Sequence, residues 1–353
     1  MKQLRQTLNV IQKLQAEGAL DSYAVMVGFA GQEWTLYSQD VNDETFFDMA
    51  SVGKVFPTST LILQAVDKGL LSLDDTLQVF FPEVPEDKKD VTVWQLLTHS
   101  SGLIRSCFPK DAGKEGRKSV LAHIFSQPKV YESGTKYAYS CDGFILLGFI
   151  LERLYGMGLD EIFREHIVKP LGMTRSRYLI SINEENAVPC YHYPVLTDTP
   201  IYDDNLRTCP DIPAGTGEDF CTPHDTRIFV KAILNKDERL YRNELFALAE
   251  QNHTKEIPCL ENYVCFADHG LGYEYINEKC PQANILFPNG SFGKEGWTGQ
   301  SFYISREKNL YVILLTNAMR CATLRLGNPD SDEVNRVRSE IHRAIGQDLG
   351  MLE

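Results

Sequence analysis

The stretch Asp48-Met49-Ala50-Ser51-Val52-Gly53-Lys54-Val55-Phe56-Pro57-Thr58-Ser59-Thr60-Leu61-Ile62-Leu63-Gln64-Ala65-Val66-Asp67-Lys68-Gly69 reads as a buried helix entered through a serine. Val52, Val55, Phe56, Ser59, Ile62, Leu63 and Val66 recur at helical spacing, giving an apolar or small face that ends at Gly69. Pro57 is tolerated because the carbonyl it leaves unpaired, that of Gly53, belongs to the first turn. Ser51 then sits at the positive end of the helix dipole, with Lys54 one turn on, where a lysine can hold or accept a hydroxyl proton. The competing reading makes Ser51 a simple N-cap. As four letters Ser-x-x-Lys is weak, occurring five times, from Ser51, Ser126, Ser133, Ser291 and Ser305. Ser126 and Ser133 sit in turn contexts with Pro128 and Gly134, Ser305 lies in a hairpin turn, and Ser291 leads into a strand, where positions three apart face opposite sides. Only Ser51 opens a helix.

On the N-terminal side, Leu4, Leu8, Ile11 and Leu14 mark one face of an amphipathic helix stopping near Gly18. Tyr23 to Phe29 and Trp34 to Tyr37 then form a hairpin, with Gly31 and Gln32 in the turn. The same grammar returns at the far end, where Ser301 to Ile304 and Leu310 to Thr316 flank a charged turn and Asp332 to Ile345 is a closing helix. Between them, Val93 to Leu97, Phe144 to Tyr155, Leu159 to His166 and Pro223 to Leu234 have helical periodicity. Strands at both ends with helices between predict an α+β fold: an antiparallel sheet assembled from both termini, flanked by the N- and C-terminal helices. Residues 1–67 and 216–353 are assigned to a discontinuous sheet domain and 68–215 to a mainly helical one, with a cleft where they meet.

At 353 residues, 43% hydrophobic and 24% charged, the chain is of globular composition, which excludes disorder and coiled coil as whole-chain readings. Against 35 Lys+Arg stand 48 Asp+Glu, a net charge of −13 that repels phosphate backbones and anionic headgroups, so neither nucleic acid nor membrane is expected as a partner. Nine cysteines without a Cys-x-x-Cys pair (Cys107, Cys141, Cys190, Cys209, Cys221, Cys259, Cys265, Cys280, Cys321) fit reduced thiols. The N-terminus lacks the unbroken apolar run of a signal peptide, and together these features point to the cytoplasm. No Gly-x-Gly-x-x-Gly, phosphate loop, His-Glu-x-x-His or Gly-x-Ser-x-Gly is present, and the scattered histidines give no metal-ligand spacing; no cofactor and no metal are expected.

The surroundings of Ser51 resemble the serine β-lactamase-like hydrolases, which include class C β-lactamases, D,D-peptidases, D-aminopeptidases and related carboxylesterases. The likeness is carried by Asp48 to Lys54, by Gly69 to Asp75, by Thr92-Val93-Trp94-Gln95-Leu96-Leu97-Thr98-His99-Ser100-Ser101-Gly102-Leu103 and by Ser133 to Gly148. It continues through Pro213-Ala214-Gly215, His269-Gly270-Leu271-Gly272-Tyr273 and the run from Phe292 to Asn317, nearly the whole chain in order. The resemblance implies Ser51 as the acylated nucleophile and Lys54 as its proton-handling partner. It implies Tyr139, from the family's Tyr-x-Asn motif, as a base or a proton shuttle. A phenol can be the base only if Lys54 and Lys294 stabilise its anion; otherwise it relays a proton from lysine. Lys294-Glu295-Gly296 matches the family's third motif, with Gly296 admitting substrate backbone and the NH groups of Ser51 and Trp297 forming an oxyanion hole. The plainer readings make Tyr139 a packing aromatic and Lys294 a solvated strand lysine.

Two departures stand out. Cys141 replaces the family's Asn, exchanging an amide for a weakly hydrogen-bonding thiol, and Glu295 replaces Thr or Ser where a carboxylate would repel an anionic substrate. If strand alternation turns Glu295 away, that objection weakens. The expectation is a serine hydrolase acting through a Ser51 acyl-enzyme on a small ester or amide. The alternatives are a β-lactamase or D,D-carboxypeptidase, and a non-catalytic ligand-binding member of the fold.

Overall fold

The computed structural model describes residues 4–103, 116–178, 186–189, 214–217, 219–261 and 268–353. Among the described residues ten strands are formed: β1 (Tyr23–Phe29), β2 (Gln32–Tyr37), β3 (Phe47–Asp48), β4 (Arg177–Tyr178), β5 (Asp219–Cys221), β6 (Asp268–His269), β7 (Glu274–Tyr275), β8 (Phe292–Glu295), β9 (Ser301–Ser305) and β10 (Leu310–Thr316). Seven build one antiparallel sheet in the order β2-β1-β10-β9-β8-β7-β6, and β3, β5 and β4 form a small second sheet. The chain's two ends therefore meet at the centre, β1 against β10 from Tyr23↔Thr316 to Phe29↔Leu310. With helices on both sides, the fold is α+β.

The central strands explain themselves by period two. Val25, Val27, Val312 and Leu314 face a core shared with Ile11 and Leu14 of the N-terminal helix (Arg5–Ala16) and Ile341 and Ile345 of the C-terminal helix (Ser331–Leu349). Ala24, Met26, Ile313 and Leu315 face the opposite core with Val55, Phe56 and Ile62. Because both faces are covered, β10 is buried at all seven positions and reads as a continuous apolar run. The hairpin turn falls one residue earlier than expected, at Ala30 and Gly31, whose φ angles of 50° and 80° suit a two-residue turn. On the first helix Thr7 takes the buried place and Leu8 is exposed, so the apolar stripe is narrower than the leucine spacing suggests.

Among the described residues, no helix is long and apolar enough to cross a membrane. The expectation of reduced thiols is corrected at Cys259, which is disulfide-bonded. Cys141, Cys221, Cys280 and Cys321 are free and buried, while Cys107, Cys190, Cys209 and Cys265 lie outside the described residues, as does Pro213.

Candidate active site

The segment Ala50–Asp67 is wound more tightly, then more loosely, than a plain helix. Ala50–Lys54 is a 3₁₀ turn, Val55–Ser59 a π-type turn, and the α-helix proper runs Thr60–Asp67. Pro57 lies within the wide turn, where the ordinary i→i−4 ladder is already interrupted. Ala50, immediately before the serine, has φ 46°, and its N–H is held by Asp48 Oδ1 at 2.8 Å. The residue at the cap position is Met49, which makes no side-chain cap, so Ser51 is not serving as the N-cap. Its Oγ instead accepts a hydrogen bond from Lys54 Nζ at 3.1 Å. Lys54 is fully buried and donates also to the carbonyl of Thr216 at 2.8 Å. None of the other four Ser-x-x-Lys pairs shows such a contact; Lys129, for example, reaches Ser133 rather than Ser126.

Thr216 lies in the Ala214–Gly217 segment, pinned to the helical segment by the Thr58 hydroxyl, which donates to Gly215 O at 2.7 Å. Tyr139 precedes the helix Cys141–Tyr155. Its ring is 5.1 Å from Lys54 Nζ and 4.8 Å from Lys294 Nζ, centroid to nitrogen, so the structure brings Ser51, Lys54, Tyr139 and Lys294 together. Burial pushes the Tyr139 phenol well above its ordinary range, outweighing the attraction of Lys294 and a hydrogen bond with Ser51. The phenol is therefore protonated at neutral pH, which suits a proton relay better than a standing tyrosinate base.

Behind Tyr139 lies His99, a residue the sequence motif contains but to which the sequence reading gives no role. Its backbone is left-handed (φ 55°), its Nδ1 accepts the Ser140 N–H at 3.0 Å, and its ring lies against Tyr139 at 4.4 Å. Burial holds the imidazole well below its ordinary value, and the neighbouring His269, Lys294 and Lys54 add to this, so it is neutral. Cys141, at the first turn of the following helix, is a buried thiol whose proximity further raises the Tyr139 phenol.

Lys294 is also fully buried, and its partner is Glu274 on the adjacent strand, 2.6 Å from Nζ. Burial alone would lower the Lys294 ammonium; Glu274 and Tyr139 outweigh it, and the group is held above its ordinary range. The solvated-strand reading of Lys294 is thus corrected. Glu274 follows directly on the quoted His269–Tyr273 run, and only the β7–β8 register, Glu274↔Gly293, reveals its partner.

Glu295 does not line the cleft. It points to the C-terminal helix, accepting hydrogen bonds from Gln282 at 2.7 Å, from Arg338 at 3.0 Å and from the Tyr303 hydroxyl. Strand alternation separates it from Lys294, and this satisfied, turned-away carboxylate overturns its expected placing against substrate. The missing side chain of Gly296 lets the strand end approach the Ser51 turn: a Cβ there would lie 2.7 Å from Met49 O and 3.3 Å from the Ala50 Cβ. Gln300 completes this stitch by donating to Asp48 O at 2.7 Å and accepting from Thr316 N at 2.7 Å. Trp297, next in sequence, is 38% exposed.

Residues 8–332 match the family model described as Beta-lactamase. The chain belongs to the beta-lactamase family. Among curated relatives, an N-acetylmuramyl-L-alanine amidase of Bacillus subtilis (strain 168) is 26% identical over 332 residues, covering 84% of this chain and 73% of that protein. A putative D-alanyl-D-alanine carboxypeptidase of Escherichia coli (strain K12) is 24% identical over 315 residues, covering 77% and 69%. The octameric penicillin-binding protein homologue from Pyrococcus abyssi superimposes with a TM-score of 0.76 at 21% identity, covering 99% of this chain and 78% of its own, a likeness of fold. This beta-lactamase-family protein is a hydrolase of the serine β-lactamase fold.

Proposed function

We propose that the protein hydrolyses small esters or amides through an acyl-enzyme at Ser51. The observation that carries this reading is the 3.1 Å hydrogen bond from Lys54 Nζ to Ser51 Oγ, made beside a phenol that faces two buried lysines. Among the described residues no carboxylate forms an ion pair with Lys54, whose acceptors are a hydroxyl and a carbonyl. As the free amine, Lys54 takes the Ser51 proton while Oγ attacks the substrate carbonyl. Backbone N–H groups of Ser51 and Trp297 then stabilise the developing oxyanion. Protonated Tyr139 passes its proton to the leaving alkoxide or amine and is reprotonated from Lys54; water enters by the reverse path to release the acid. Labelling with a fluorophosphonate probe tests the assignment: wild type should react and Ser51→Ala should not, and equal labelling of both overturns it.

A β-lactamase or D,D-carboxypeptidase activity is the second reading. It is favoured by Glu295 facing away from the cleft, which removes one objection to carboxylate-bearing substrates. Against it stands Cys141, which offers no amide to a substrate carbonyl. Turnover of activated esters, D-aminoacyl amides and a chromogenic cephalosporin, each compared with Ser51→Ala, separates the two.

A further inference from the structure

Beneath the Ser51–Lys54 turn, β5 places a carboxyl that the hydrolytic scheme does not use. Asp219 is completely buried. Its Oδ1 has no hydrogen-bond partner, and its Oδ2 meets the Cys221 thiol at 3.8 Å. Gly53 is what makes room for it. A Cβ at residue 53 would lie 1.9 Å from Asp219 Oδ1 and 3.0 Å from Gly217 Cα, so the third residue of the Ser-x-x-Lys turn can carry no side chain while this carboxyl is present. One backbone bond ties the two elements as well, Met49 N–H donating to Asp219 O at 3.0 Å.

A buried carboxyl with an unpartnered oxygen is costly when ionised and cheap when protonated. Burial raises Asp219 to about 7, against the smaller opposing effects of its own backbone, the Cys221 thiol and the Lys54 ammonium. Among the described residues, the other ionisable groups around it are engaged elsewhere or held neutral. Cys221, on the same strand, is held neutral by burial. Asp48, from β3, caps the Ala50 N–H. Asp225, beyond Cys221, is engaged by the N–H groups of Thr174, Arg175 and Ser176. Arg177, from β4, lies over the Phe46 ring, and Phe46 packs with Phe220, whose side chain alternates to the other face from Asp219. Lys54 is the cation in whose field Asp219 sits.

We propose that Asp219 is a positioning residue for the Lys54–Ser51 pair: packed into the space that a side chain at residue 53 would fill, its carboxyl sets by its own ionisation how tightly Lys54 holds its proton. The proposal rests on Ser51 being the nucleophile. With Asp219 neutral, Lys54 answers to two neutral acceptors. With Asp219 ionised, a dry carboxylate favours the ammonium, and Lys54 accepts the serine proton only at higher pH.

The test follows the rate of fluorophosphonate labelling from pH 5 to 10 and thermal melting at pH 5 and pH 8, in wild type, Asp219→Asn and Asp219→Leu. Asn keeps the shape, and Leu removes the polar group altogether should a buried amide unfold the Asn variant. Both variants should move the alkaline rise in labelling to lower pH. Their melting temperatures should gain on wild type at pH 8 relative to pH 5, because a carboxyl raised in the folded state loses stability as pH rises through about 7. Labelling profiles that superimpose on a reactive wild type overturn the proposal and leave the nucleophile standing. A wild type that does not label overturns the nucleophile and the role of Asp219 with it. Melting differences equal at the two pH values show that the carboxyl is not held protonated, and also overturn the proposal.

Discussion

Two lysines, both without exposed surface, flank one tyrosine, and their surroundings are opposite. Lys294 is clamped by Glu274 at 2.6 Å, inside a network that continues through Glu295 and Arg338 to the C-terminal helix. Lys54 donates to a serine hydroxyl and a backbone carbonyl. The ammonium of Lys294 is paired with a carboxylate, whereas the Lys54 nitrogen is directed at the Ser51 hydroxyl. The same residue type thus stands beside a carboxylate on one side of Tyr139 and beside a hydroxyl on the other.

Replacing Lys54 should have the largest consequence. Lys54→Met is expected to slow labelling of Ser51 on the order of 10³-fold or more, as when one member of a catalytic unit is lost; a variant that labels at the wild-type rate would erase the distinction between the lysines. Tyr139→Phe should cost roughly 10²–10³-fold in amide hydrolysis and less for an activated ester whose leaving group needs no proton. A uniform loss on both substrates would instead mark the phenol as a structural prop. On the Lys294 side, Glu274→Gln strands the ammonium and should lower stability in urea by about 3 kcal/mol. An unchanged midpoint would show the pair to be dispensable.

The smallest effect lies behind Lys294. Burial lowers His342 to about 4, its ring nitrogen Nδ1 donating to Gln282 O at 2.6 Å, while the Gln282 side chain holds Glu295. A histidine depressed in the folded state contributes stability above its unfolded value near 6.5, and that contribution is lost as pH falls toward 4. Between pH 7.5 and 5 the loss should be about 2 kcal/mol, and His342→Phe should flatten the acid side of the stability curve. If the curves of the two proteins run parallel, the imidazole is not desolvated as described.

What the sequence discloses is set by where each partner lies along the chain. Ser51 and Lys54 are three residues apart and β10 is one apolar run, so both are legible from spacing. Glu274 is legible only once β7 pairs with β8, and the Thr216 carbonyl has no side-chain signature at all. Glu295 is misplaced when read as part of a motif, because alternation on β8 decides which neighbour belongs to the cleft. Asp219 reads as an ordinary acid until the packing against Gly53 is seen.

Arg338 gives the molecule a practical edge. Its guanidinium donates to the carbonyls of Gly296 at 2.6 Å and Gln300 at 2.9 Å as well as to Glu295. The family-model match ends at residue 332, six positions earlier. A shortened protein trimmed at that boundary would keep every motif residue yet lose the clasp that holds the third motif against the Ser51 turn, so an inactive truncation would say nothing about Ser51. Any fusion partner belongs beyond the final helix, after Leu349.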